Sequence, residues 1–174
     1  MGSIDLDPFS CAQANEVVRA TKYFSLADDG FCQFWHGNVF VNPPGGYLRP
    51  SPYSTQIEID RIKGISTHYG TKSTAAAAWG KAVSQFEKGK SQSVGTGVSQ
   101  LIFLGFNIEL LRTSQTCHKS ALDYAVCVPK KRLCFISSDA ESQNSPPHAN
   151  VIVYMGDNVE SFRDNFTRIG AVKI

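Results

Sequence analysis

The chain predicts an α/β fold built on a mainly parallel sheet, and three observations carry that expectation. Segments that read as strands alternate with segments that read as helices, the pattern of layered α/β domains. The strand cores are short continuous apolar runs rather than in-out alternations, as expected for strands buried on both faces. The length, 174 residues, suits one domain spanning 1–174.

Each element follows from local pattern. Ile4-Asp5-Leu6-Asp7 alternates like a strand and is stopped by Pro8. Ala12 to Thr21 reads as a short helix, with Ala14, Val17 and Val18 on one side. A polar turn at Asp28-Asp29-Gly30 leads towards Val39-Phe40-Val41, a compact strand that ends abruptly in Asn42-Pro43-Pro44-Gly45-Gly46. Residues 47–71 have little periodicity and form a long connection, of the kind that is usually functional in a compact domain. Ser73 to Lys88 reads as a helix with Trp79, Val83 and Phe86 on one stripe. Val98 to Phe106 is the most apolar stretch and reads as a central strand, followed by a short helix. Strands are expected around Tyr124–Val128 and Leu133–Ile136, with Val151–Tyr154 the last strand and Val159–Ile169 the last helix.

Composition narrows the class. Hydrophobic residues at 42% and charged residues at 18% describe a soluble globular chain. A net charge of +2 excludes a strongly basic arm but leaves room for a local positive groove. Arg49, Arg61, Lys63, Lys72, Lys88 and Lys90 group around two loops, and Lys130-Lys131-Arg132 forms a basic run; either set suits solvent or phosphate. The five cysteines are odd in number and never spaced C-x-x-C, which reads as buried, reduced thiols in an intracellular protein. Zinc is conceivable through Cys32, His36, Cys117 and His118 together, Cys32-x-x-x-His36 being a tolerable half-site, but the expectation is no metal. No apolar run is long enough to cross a membrane.

Asn42-Pro43-Pro44 directly after a buried strand carries the chemistry. Ligands of open α/β sheets bind beyond the carboxyl ends of strands, so such a motif points its asparagine at the site. The prolines fix φ and contribute no N–H, leaving nearby carbonyls free as acceptors. An exocyclic amine on a nucleic-acid base is a poor nucleophile, because its lone pair is delocalised into the ring. Two acceptors, the Asn42 side-chain oxygen and the Pro43 carbonyl, could each take one amine hydrogen and favour the localised lone pair that attacks a methyl donor. That is transition-state stabilisation by preorganised acceptors, and it needs no strong base.

The ordered set Asp5-Leu6-Asp7-Pro8, Tyr23-Phe24, Asp28-Asp29-Gly30, Trp35-x-Gly37 and Val39-Phe40-Val41-Asn42-Pro43-Pro44-Gly45 resembles the phage-type Dam-like DNA N6-adenine methyltransferases. Weaker likeness continues through Leu101-Ile102-Phe103-Leu104, Arg132-Leu133-Cys134-Phe135 and Pro146-Pro147-His148-Ala149-Asn150-Val151. The resemblance implies a Rossmann-like methyltransferase fold that binds S-adenosyl-L-methionine, acts on a flipped adenine in DNA, and works in a bacterial or phage-infected cytoplasm. It implies that Asp7 and Pro8 border the cofactor with Asp5 near it, and that Asp28 and Asp29 meet its ribose or amino end. Asn42, Pro43 and Pro44 match the catalytic motif. The motif's fourth position, aromatic in that family, is Gly45 here; Tyr47, Tyr53 or Trp79 could supply the ring, and Arg49 lies beside them. Cytosine N4, an RNA base or a glutamine amide would offer a similar nitrogen. A chain with this fold could also bind nucleic acid or a partner without transferring a methyl group.

Overall fold

The computed structural model describes residues 2–46, 74–91, 96–105, 109–133 and 149–174. These form one seven-stranded sheet with helices on its faces. In chain order the elements are β1 (Leu6–Asp7), α1 (Ala12–Val18), β2 (Lys22–Tyr23), β3 (Gly37–Val41) and α2 (Thr74–Lys90). They continue with β4 (Val98–Gly105), α3 (Glu109–Thr113), two short 3-10 turns, β5 (Ala125–Pro129), β6 (Val151–Met155), α4 (Val159–Phe166) and β7 (Gly170–Lys173). The predicted strand over Leu133–Ile136 lies, from Cys134 on, outside the described residues.

The strand order is β2-β1-β3-β4-β6-β5-β7. The first four are mutually parallel, while β6 runs antiparallel to β4 and β5, and β7 runs antiparallel to β5. The sheet is therefore mixed, not mainly parallel. All five residues of β6 are buried, and a run buried on both faces has the same composition whichever way it points, so its direction is not written in its hydrophobicity. Two strands escaped the pattern altogether. β2 has only two residues, and β7, past the expected last strand, is a four-residue edge in which only Gly170 is buried.

Local chemistry sets the elements that frame the site. Pro8 ends β1, since it has no N–H to extend the ladder. Gly37 opens β3 with φ +70°, and a Cβ there would sit 2.5 Å from the Asp5 carboxylate. Only glycine suits that place, because the Asp5 Oδ2 must come close enough to accept the Asn38 N–H at 2.7 Å. The Thr74 N–H donates to the Gly46 carbonyl at 2.9 Å, so the chain leaves β3 and enters α2 at one point.

One face of the sheet (Leu6, Val39, Val41, Leu101, Phe103, Val153) packs against Trp79, Ala82, Val83 and Phe86 of α2, the stripe the sequence predicts. The other face (Leu104, Ala125, Cys127, Ile152, Tyr154) packs against Phe162 of α4. The four described cysteines are free thiols, but only Cys127 is buried; Cys11 is exposed, and Cys32 and Cys117 are half-buried. Among the described residues no helix is long and apolar enough to cross a membrane, and no cluster of three or more His, Cys, Asp or Glu side chains could hold a metal.

Candidate active site

In the parallel half of the sheet, β2 lies on one side of β1 and β3 on the other. The order of strands reverses between β1 and β3, and in open α/β sheets that is where a ligand crevice opens beyond the carboxyl ends. Asp7 closes β1 and Asn42 follows β3, so the two residues flank this point. Leu6 is level with Val39, which places Asn42 two residues beyond Asp7's level, roughly 7 Å along the strand direction.

The turn after β1 is held from several sides. The Phe24 N–H donates to the Asp7 carbonyl, and the Ser10 N–H to the Phe24 carbonyl, both at 2.9 Å. A Cβ on Gly30 would fall 1.9 Å from the Pro8 carbonyl oxygen, so the 28–31 turn presses its backbone directly on Pro8. Trp35, fully buried, donates its indole N–H to the Gly30 carbonyl at 2.9 Å. From α2, the Lys81 ammonium donates to the carbonyls of Phe31 (2.8 Å) and Gln33 (2.7 Å). This wall is rigid for reasons that sit in its own side chains.

Polar accounting singles out this edge. Asp7 is 2% exposed and, among the described residues, accepts the Phe9 N–H at 3.1 Å. Burial pushes its pKa above the ordinary carboxylate value; the Phe9 N–H and the nearby Ser10 hydroxyl offset part of that rise. The Ser10 hydroxyl is itself buried without a complete hydrogen bond, and so are the Asn42 Oδ1 and the Asn150 Nδ2. Asn150 stands just before β6, and because β6 is antiparallel its start lies on the same edge as the ends of β3 and β4. The Leu133 N–H donates to the Asn150 Oδ1 at 2.9 Å, which fixes the amide's orientation and leaves its NH2 the unpartnered side. Each such group costs about 1–3 kcal/mol if left unmet, so three on one edge mark a place that expects a polar partner.

The sequence-predicted residues separate into three groups. Asp7, Pro8, Asn42 and Pro43 lie at the carboxyl edge beside the strand-order reversal, with Pro44 and Gly45 exposed after them and, among the described residues, open space around Gly45. Asp5, Asp28 and Asp29 are occupied elsewhere. Asp5 ties β1 to β3 through Asn38. Asp28, fully exposed, accepts the Ser25 N–H and hydroxyl, and these bonds lower its pKa. Asp29 accepts the Phe31 N–H. Tyr47, Arg49 and Tyr53, with the rest of the 47–71 connection, lie outside the described residues, as do Arg61, Lys63 and Lys72. Trp79 is not the stacking ring: it is fully buried, donates to the Lys119 carbonyl and packs edge-on against Phe103. Lys88 and Lys90 stand at the far end of α2, where Gly89 meets Val98 at the amino end of β4, so they are remote from the crevice. Lys130, Lys131 and Arg132 are exposed directly after β5, which shares the direction of β3 and β4, and so lie on the crevice edge.

No protein-family model, curated protein or solved structure matches the chain.

Ser10 and Asn150 are the residues that sequence reasoning left without a role. Ser10 could have been found from its place two residues beyond Pro8. Asn150 gives no signal in one sequence, because its importance comes from β6 running backwards into the same edge.

Proposed function

We propose that the chain is an S-adenosyl-L-methionine-dependent methyltransferase that acts on an exocyclic base amine, adenine N6 in DNA. The observation that supports it most is the pairing, across the strand-order reversal, of a buried Asp7 with an Asn42 whose Oδ1 has no partner among the described residues. An unpartnered buried acceptor fits a substrate that brings two N–H groups. Asn42 Oδ1 and the Pro43 carbonyl would each accept one amine hydrogen, holding the nitrogen lone pair towards the methyl donor and stabilising the positive charge that develops on nitrogen. Asp7, short of donors and buried, fits the hydroxyls or positive charge of the cofactor, with Pro8 and the Ser10 hydroxyl beside it. Bound there, S-adenosyl-L-methionine would supply an electrophilic methyl group on sulfur. Lys130, Lys131 and Arg132 suit DNA phosphates, and contacts of that kind make affinity fall with salt.

The test is to incubate the chain with labelled S-adenosyl-L-methionine and adenine-containing DNA, then analyse the nucleosides. N6-methyladenine is the expected product; label in N4-methylcytosine would move the target, and no label in DNA, RNA or protein would overturn the reading. A second reading, a binding module that transfers nothing, is favoured by Gly45, which carries no ring where the family stacks a base. Salt-sensitive DNA binding without cofactor binding is its expected signature.

A further inference from the structure

Among the described residues, the sheet face that packs against α4 is not covered along its length. Phe40 of β3 and Ile102 of β4, paired across adjacent strands, both point to this face and are only half-buried. Parallel strands normally have both faces covered. α1, which borders this face, buries none of its residues, and Val17 remains 65% exposed. Between the end of α1 and the side of α4 lies a groove of about 700 Å³, within the range of small-molecule sites. It is distant in chemistry from the crevice: its floor and walls are Ile4, Val18, Ile102, Phe162 and Phe166, with Ser161 and Asn165 on the α4 rim.

Arg19 lines the same groove. It caps α1 in the left-handed conformation, φ 56°, which glycine adopts far more readily. Asn15 holds that geometry by gripping Ala20, accepting its N–H at 2.9 Å and donating to its carbonyl at 3.1 Å. Among the described residues the Arg19 guanidinium has no ion-pair partner, whereas the neighbouring Arg163 is matched by Glu160. An arginine without an ion-pair partner among the described residues thus lines a groove that is part apolar and part polar, with Ser3, Thr21, Tyr154 and Asn158 beside the apolar residues.

We propose that this groove binds an amphipathic anion, whose carboxylate, sulfonate or phosphate pairs with Arg19 while its apolar body lies over Ile4, Ile102, Phe162 and Phe166. A guanidinium recognises all three head groups by the same forked donation, and the stacked rings of Phe162 and Phe166, 4.4 Å apart, favour a flat or flexible hydrocarbon. The inference does not depend on methyl transfer, since it uses none of the residues of the crevice.

The experiment uses the full chain with two probes, anilinonaphthalene sulfonate followed by fluorescence and dodecanoate as its competitor. Saturable binding of one probe per chain, displaced by dodecanoate, is expected. Arg19→Gln should weaken it at least about tenfold, the worth of one charge-assisted bond. Arg19→Gly should weaken it equally while raising the thermal midpoint, because it relieves the left-handed backbone; a purely structural arginine would show only the second effect. Asn165→Trp, at an exposed rim position, should block the probe while the far-ultraviolet circular dichroism stays unchanged. Unsaturable uptake, or affinity indifferent to Arg19→Gln and Asn165→Trp in folded protein, would overturn the proposal.

Discussion

β1 and β3 carry polar side chains at both ends, and the two ends are treated in opposite ways. At the amino end the polar side chains bond to one another and to backbone. Asp5 accepts the Asn38 N–H, Gln100 donates to the Asn38 Oδ1 at 3.1 Å, and Tyr154 donates to the Gln100 Oε1 at 2.9 Å. The Asn158 N–H closes the chain on the Tyr154 oxygen at 3.2 Å. This ladder crosses four strands and reaches the start of α4. At the carboxyl end, within a few residues, Asp7 is buried with one well-formed bond, and Ser10 and Asn42 hold groups with none. Partnered polar groups on one edge and unmatched ones on the other separate the edge the fold satisfies by itself from the edge where the candidate site lies.

Variants can break or sharpen this contrast. The largest effect expected is on transfer: Asn42→Ala should lower the methylation rate by about 100-fold or more, the usual cost of losing one preorganised group, while leaving the fold intact or raising its stability by up to about 1–3 kcal/mol, because the unmet Oδ1 is removed. Parallel rate and denaturant measurements check both halves. Asp5→Ala should do the reverse, leaving cofactor affinity intact and costing about 1–3 kcal/mol of stability by stranding the Asn38 N–H. Loss of cofactor affinity in a folded Asp5→Ala chain would erase the distinction between the two ends.

Asp7→Asn makes the contrast depend on pH. The folded pKa of Asp7 lies above its unfolded value, so the native state holds the proton more tightly. That stabilisation is full below the ordinary carboxylate value of about 3.9 and is lost as pH rises through the raised folded pKa. The asparagine variant does not titrate. Its stability relative to the parent should therefore grow as pH climbs through that window, measured by urea unfolding at a series of pH values; a constant difference would contradict the account. The smallest effect belongs to Tyr154→Phe, which removes one link of the ladder and should cost about 0.5–1.5 kcal/mol without altering cofactor affinity at the carboxyl edge.

The sequence made the long elements legible and the geometry only partly so. The stripe Trp79-Val83-Phe86 and the runs around Leu101 and Val151 are strong enough to name their elements. The two-residue β2 and the half-exposed β7 are not, since edge strands lack the apolar density that marks a strand. Asn42-Pro43-Pro44 stood out as the candidate site because proline chemistry and strand ending coincide there, and the structure does end β3 directly before it. The separate fates of Asp5 and Asp7 were not legible. Both sit in one alternating run, and only the position of Gly37 opposite Asp5 decides which carboxylate is structural. Asp28 and Asp29 look like ligand residues in a linear reading, yet each bonds backbone N–H groups of its own turn, the commonest use of Asp before Gly.

The most direct test of the central claim, that the carboxyl edge is built for a cofactor, is calorimetric titration of S-adenosylhomocysteine into the parent chain and the Asp7→Asn and Asp5→Ala variants. The account predicts one site of micromolar strength in the parent, retained in Asp5→Ala and lost or much weakened in Asp7→Asn. No heat with folded parent protein, or equal affinity in all three, would contradict it.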